Sequence, residues 1–219
     1  MTTAAQGSEV PEFRSARADL RRRQILDAAR RLVSEKGFGC RMDEVAAAIG
    51  VTKPAVYRYF PGKDTLIRAM LEEDLVVPTK ALVARIDAYE GPIRGLLEIF
   101  AEGTLSIQEN GLSRGYMALA MDEAQSRPDV AGLIRENVLG VSVMRVAQAF
   151  QRSMATGELR KVEDPTLLVR LFFAPFMQIA LVRGGFGVPM DGPAAYRDYV
   201  KFHIDAFLRA FGPVPPSGA

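Results

Sequence analysis

The 219-residue chain has one cysteine and one histidine. A lone Cys40 cannot close an internal disulfide and fits a reducing compartment. With His203 as the single histidine, a His/Cys metal site is not expected. The two residues are far apart in sequence, no HExxH motif occurs, and no glycine-rich phosphate loop appears, so no enzyme chemistry and no cofactor are expected. Long apolar runs are missing as well. The longest, Leu171 to Val182, is broken by Pro175 and Gln178, whereas a membrane span needs about 20 apolar residues. The first twenty residues are polar and lack the apolar core of a secretory signal. A cytoplasmic protein without a membrane partner is the expectation. Sustained period-two alternation and internal repeats are also absent, which leaves an all-α reading.

A quarter of the residues are charged and 48% are hydrophobic, enough apolar material for a sizeable core. The net charge of +2 is unevenly spread. Between Glu12 and Lys63 twelve basic residues face six acidic ones, a balance of +6, whereas from Asp64 onward the balance is −3. A basic N-terminal quarter joined to a mildly acidic remainder suggests that one part meets phosphate and the other does not. Chance clustering of solvated surface charge is the plain alternative.

The helical pattern begins near Asp19. Ile25, Ala28, Ala29, Leu32 and Val33 recur at the spacing of one buried helix face, and Gly37 stops the helix. Met42, Val45, Ala46 and Ile49 mark a short second helix broken by Gly50. Thr52 is placed to cap a third helix through its hydroxyl, with Pro54 in the first turn, where no amide donor is needed. That helix runs to about Phe60, and a fourth is expected from Lys63 towards Val77, ahead of Pro78. Further helices are read from Pro92, from Ser113 to Ser126, from Pro128 to the Gly157 stop, from the Asp164 cap to Arg183, and from Pro193 to Phe211.

The second and third helices, joined through Gly50-Val51-Thr52, form a helix-turn-helix. Val45, Ile49, Val51, Val56 and Phe60 can lock their crossing angle. Lys53, Pro54 and Ala55 leave the N-terminal end of the third helix small and polar, as entry into a major groove requires. Tyr57 and Arg58 lie one turn further on, within reach of a phosphate or a base edge.

These residues carry a resemblance. The stretch from Gly37-Phe38 through Met42-Asp43-Glu44-Val45 and Gly50-Val51-Thr52-Lys53-Pro54-Ala55-Val56-Tyr57-Arg58-Tyr59-Phe60 to Lys63-Asp64-Thr65-Leu66 resembles the DNA-binding domain of TetR-family regulators. The first-helix pattern Ile25-Leu26-Asp27-Ala28-Ala29 and Leu32 matches too. Met121-Asp122-Glu123-Ala124 with Arg127-Pro128-Asp129 resembles C-terminal segments of AcrR-like members. The resemblance implies a flexible arm over 1–17, a helix-turn-helix domain over 18–66, a helical effector-binding and dimerisation domain over 67–211 and a loose tail over 212–219. It implies a homodimer, most often a repressor, that binds double-stranded DNA at a near-palindromic operator and is released by a hydrophobic small molecule. Carried over by position, Thr52, Lys53, Tyr57 and Lys63 would bind phosphates, while Pro54 and Ala55 would touch base edges. Arg41 stands where the family commonly has a threonine capping the second helix. Arginine cannot accept an amide proton, so that helix start is expected to be less well fixed, with Arg41 available for phosphate.

Other features have two readings each. Arg21, Arg22 and Arg23 suit phosphate or a solvated helix face; Arg14 and Arg17 suit a minor-groove arm or a plain tail. Cys40 reads as an ordinary small residue, and His203 as a packing or surface residue. Phe100, Met117, Met121, Met144, Phe150, Phe173, Met177 and Gln178 are the candidates for a ligand site between helices, and a plain hydrophobic core would use the same side chains. The last two helices, with Leu167, Leu168, Leu171, Phe172, Pro175 and Phe176, are the expected dimer face. Two competing readings are a constitutive DNA-binding protein without effector, and a helical lipid-binding protein or enzyme.

Overall fold

In the computed structural model, which describes residues 10–110, 124–125, 127–185 and 192–213, every regular element is helical. Four helices come first: α1 (Val10–Lys36), α2 (Met42–Ala48), α3 (Lys53–Tyr57) and α4 (Lys63–Leu71). Six more follow among the described residues: α5 (Val77–Asp87), α6 (Ile93–Asn110), α7 (Pro128–Ile134), α8 (Val141–Ala155), α9 (Pro165–Gly185) and α10 (Gly192–Phe211). The chain divides into two compact units, residues 1–70 and 71–219. The expected helix over 113–126 falls largely outside the described residues.

In the first unit, α1 begins at Val10 rather than near Asp19. The expected arm is therefore helical from that point. Pro11 falls in the opening turn, where its missing amide costs nothing, and the following residues are mostly good helix formers. Ile25, Leu26, Ala28, Ala29 and Val33 of α1 are fully buried. Against them lie Val45 and Ala46 of α2, Val56 of α3, Phe60, and Leu66, Ile67 and Met70 of α4, all buried. A five-residue helix such as α3 is far too short to persist alone. The burial of Val56 and Phe60 gives it its place, each worth about 1.5–3 kcal/mol.

In the second unit the expected stop before Pro78 does not occur. A π-helical segment, Glu72–Val76, leads directly into α5, and Pro78 takes up its first turn. The widened register lets the Val77 amide bond the Glu72 carbonyl, so a residue without an amide can follow without breaking a normal helical ladder. The helix expected from Pro128 to Gly157 is likewise divided by a π segment, Arg135–Gly140, between α7 and α8. The two π segments pack against each other.

Phenylalanines centre the core of this unit. Phe172 lies 5.9 Å from Phe100, 5.7 Å from Phe176 and 5.1 Å from Phe207, ring centre to ring centre. His203 stacks on Phe172 at 4.8 Å, and its Nε2 donates to the Phe172 carbonyl at 2.9 Å, which makes it a packing residue with a satisfied polar atom. Carboxylates fix two helix starts. Glu158 accepts the Ile93 amide at 2.6 Å, and Asp164 accepts both the Thr166 amide at 2.8 Å and its hydroxyl at 2.6 Å. That second contact holds the Asp164 carboxyl below its usual range. Among the described residues no helix is long and apolar enough to cross a membrane.

Candidate nucleic-acid interface and ligand cavity

The turn between α2 and α3 is built by the backbone. Gly50 has φ +66°, and the Gly50 and Val51 amides donate to the Ala47 and Ala46 carbonyls at 3.1 and 3.0 Å. An L side chain at that φ would be strained, so glycine is required by conformation and not by space. Thr52 has the extended backbone of an N-cap, and its carbonyl accepts the Ala55 amide at 2.9 Å. Its side chain makes no capping bond, contrary to expectation. Pro54 fixes the first turn without it, which leaves the hydroxyl at the surface.

Arg41 also corrects an expectation. The start of α2 is well held, but by Glu44. Its carboxylate accepts the Arg41 amide at 2.8 Å and the Lys36 ammonium at 2.8 Å. The Lys36 hydrogen bond, then the Arg41 amide, hold the Glu44 carboxyl below its usual range. This is the reach-back half of a capping box, which needs no acceptor on residue 41. The Arg41 side chain is exposed, 3.6 Å from Asp43.

Thr52, Lys53, Pro54, Tyr57 and Arg58 are exposed, with Ala55 half-buried, while Val56 is sealed beneath them. The Lys53 ammonium lies 5.8 Å from the Tyr57 ring centre and the Arg58 guanidinium 5.3 Å from the Tyr59 ring centre. Both cations are thus held close to the α3 surface. Lys63 opens α4, where Thr65 takes the Gly62 amide at 3.1 Å. The Leu66 amide donates to the Gly62 carbonyl at 3.2 Å, and Asp64 lies in the same first turn. Cys40, behind this surface, is buried, and burial pushes its thiol up despite the opposing charge of Lys63.

Arg17 and Arg21 each have two readings in the sequence, and neither reading joins them to α3. The structure places both, with Leu20 and Gln24, along one groove with Arg58 and Tyr59. The i, i+4 spacing of Arg17 and Arg21 signalled a shared face, but not what it borders.

The second unit contains a half-open cavity of about 390 Å³. Phe100, Phe173 and Met177 line it, together with Leu82, Ile107, Ile134, Val138 and Leu139. Other ligand candidates lie elsewhere. Phe150 is fully buried in the core beside Phe207, Met144 is 57% exposed, and Gln178 is on the outer face of α9. These separations follow from helical phase, which composition does not reveal. Met117 and Met121 lie outside the described residues. Thr79, Thr104, Gln108 and Ser142 also line the cavity and were missed. The one available signal was the i, i+4 pair Thr104 and Gln108 beside the apolar stripe of α6. On α9 the expected dimer face divides in two: Leu168, Phe172 and Phe176 belong to the core, and Leu167 and Leu171 remain exposed.

A basic helix-turn-helix on a four-helix scaffold defines a DNA-binding protein with a separate helical unit. Residues 25–70 match the family described as bacterial regulatory proteins, tetR family, and residues 88–197 match the tetracyclin repressor-like C-terminal domain. The chain belongs to the TetR family of DNA-binding transcriptional regulators. It is 25% identical over 154 residues to the HTH-type transcriptional regulator UidR of Escherichia coli K12, covering 68% of this chain and 74% of UidR. It is 31% identical over 99 residues to the HTH-type transcriptional repressor LfrR of Mycolicibacterium smegmatis, covering 44% of this chain and 50% of LfrR. Several matches to curated relatives span half of the relative's length or less. Among solved structures, a SmeT–triclosan complex shares the fold with a TM-score of 0.70 at 22% identity, over 90% of this chain and 95% of that one.

Proposed function

We propose that this regulator is a repressor that binds a near-palindromic operator as a homodimer and is released by a hydrophobic small molecule. The observation that carries the DNA reading is the two-sided character of α3. Val56 is fully buried, while Thr52, Lys53, Pro54, Tyr57 and Arg58 are exposed around it. Thr52, Lys53, Tyr57, Lys63 and Arg41 bind phosphates, Pro54 and Ala55 meet base edges, and Arg58 reaches either. Repression is supported by the likeness to LfrR, a repressor by name.

Dimerisation is supported by α9, whose outer face exposes Leu167 and Leu171, with Ala174 and Gln178 continuing at helical spacing. Phe202 of α10 is 66% exposed. Apolar side chains this prominent are best covered by a second copy across a two-fold axis. Two recognition helices about 34 Å apart then read two half-sites, where one alone reads too few bases.

The apolar cavity supports an effector, and SmeT, which shares the fold, is described in complex with the small molecule triclosan. Release acts through the spacing of the two recognition helices. Phe60 and Leu66 are buried together in the first unit, so movement of α4 carries the reading head with it. A ligand shifts this equilibrium only by its differential affinity for the two states, typically about 1–3 kcal/mol. The test is to titrate a panel of hydrophobic compounds, triclosan included, with and without saturating operator. Some member should bind roughly 5–150-fold more weakly in the presence of DNA. Equal affinities for every compound that binds would instead favour the constitutive reading.

A further inference from the structure

From the polar atoms of the cavity we infer the chemical class of its ligand: an uncharged amphiphile whose hydroxyl or carbonyl group seats against Thr79, Thr104 and Gln108. This rests on the proposal that the cavity is the effector site. Thr79 and Thr104 are 2% and 7% exposed, and both line the cavity. Neither hydroxyl has a hydrogen-bond partner among the described residues. A helical threonine ordinarily bonds back to the carbonyl one turn earlier, and a buried hydroxyl without a partner calls for an explanation. A ligand that supplies the partner is one.

The three groups converge through the α5–α6 crossing. A Cβ placed on Gly103 would come within 2.3 Å of Leu82 Cδ1, so the two helices approach closely there. Continuing the antiparallel register by one turn sets Thr79 opposite residues 106–107, between Thr104 and Gln108 on the facing helix. Gln108 donates its amide to the Phe176 carbonyl at 3.1 Å, which fixes the side chain and leaves Oε1 as an acceptor. The cluster thus offers two hydroxyls and one carbonyl, which suit a group that both donates and accepts.

Charge is disfavoured. No carboxylate is among the described lining residues, so a cationic ligand would find no counterion among them. Arg135 is the sole cation among them, but its side chain is exposed, 3.5 Å from Glu136. An anion carried inward to the threonines would lose its hydration without that partner.

The test uses the full chain and three matched probes, biphenyl, biphenyl-4-ol and biphenyl-4-carboxylate, with affinities from calorimetric titration. The phenol should bind about 3–10-fold more tightly than biphenyl, the usual worth of a net hydrogen bond, and the carboxylate more weakly than either. In the isosteric double variant Thr79→Val/Thr104→Val the advantage of the phenol should disappear while biphenyl binds at least as well as before. Without ligand, that variant should melt at the same temperature or higher, because two hydroxyls with no partner among the described residues are removed. Equal binding of phenol and biphenyl, preference for the carboxylate, or a phenol advantage that survives both valines would overturn the inference while leaving an effector cavity in place. A clearly lowered melting temperature would overturn it independently, by revealing protein partners for the hydroxyls. Failure of all three probes to bind would instead remove the effector-site reading beneath it.

Discussion

Replacing Gly50 by alanine tests whether the helix-turn-helix turn is held by conformation alone. The added methyl meets nothing within 4 Å, so no clash contributes. The backbone sits at φ +66°, and holding an L residue there costs about 1–2 kcal/mol. Alanine also restricts the unfolded chain, an offset of about 0.4–1 kcal/mol, so the net loss should be near 1 kcal/mol. Hydrogen exchange reads this locally: amides of α2 and α3 should lose about fivefold protection, with α9 unaffected. Gly50→Asn should cost less, because asparagine tolerates the left-handed region better. Operator affinity should stay close to that of the parent, since the methyl leaves the α2–α3 angle alone. Unchanged or increased protection would refute the strain argument. A hundredfold loss would mean that a side chain collides where the geometry shows open space.

Three further outcomes follow from the surface of the first unit. Tyr57→Phe should keep the fold and weaken operator binding roughly tenfold or more, the worth of a hydrogen bond to a charged phosphate, as measured by fluorescence anisotropy. Lys63→Ala should weaken binding to operator and random duplex alike and flatten the salt dependence; a changed sequence preference at unchanged affinity would refute a phosphate role. Glu44 has a lowered folded-state pKa, so its contribution to stability is full above the ordinary carboxylate value, near 4.3, and is lost as pH falls through the lowered one. Glu44→Gln should remove that part of the acid slope in a thermal melt series and leave the slope elsewhere unchanged.

The DNA-binding unit was largely legible because its signals are local. Ile25 to Val33 mark one helix face, Gly50 marks a turn, and Pro54 marks a helix start, each within a few residues of what it controls. Corrections there came from substitutes that local rules allow: Glu44 does the work expected of a threonine at position 41, and Pro54 that expected of the Thr52 hydroxyl. The cavity was less legible because it depends on helical phase and on non-local packing. Phe150 and Phe173 look alike in sequence, yet one packs on Phe207 in the core and the other faces the cavity. Met144 and Gln178 turn outward for the same reason. Pro78 misled because its ordinary meaning is a helix stop, and the π segment ahead of it changes which carbonyl each amide must find.

The central claim, that α3 reads DNA in a two-fold assembly, is tested most directly by in-vitro selection from a random duplex library with the full chain. Convergence on a near-palindrome with half-sites about one helical turn apart is the expected result. Parallel selection with Ala55→Ser should shift the preferred base within each half-site and leave their spacing unchanged. A library that fails to converge, or a selected sequence that Ala55→Ser leaves unaltered, would contradict the assignment of α3 as the reading helix.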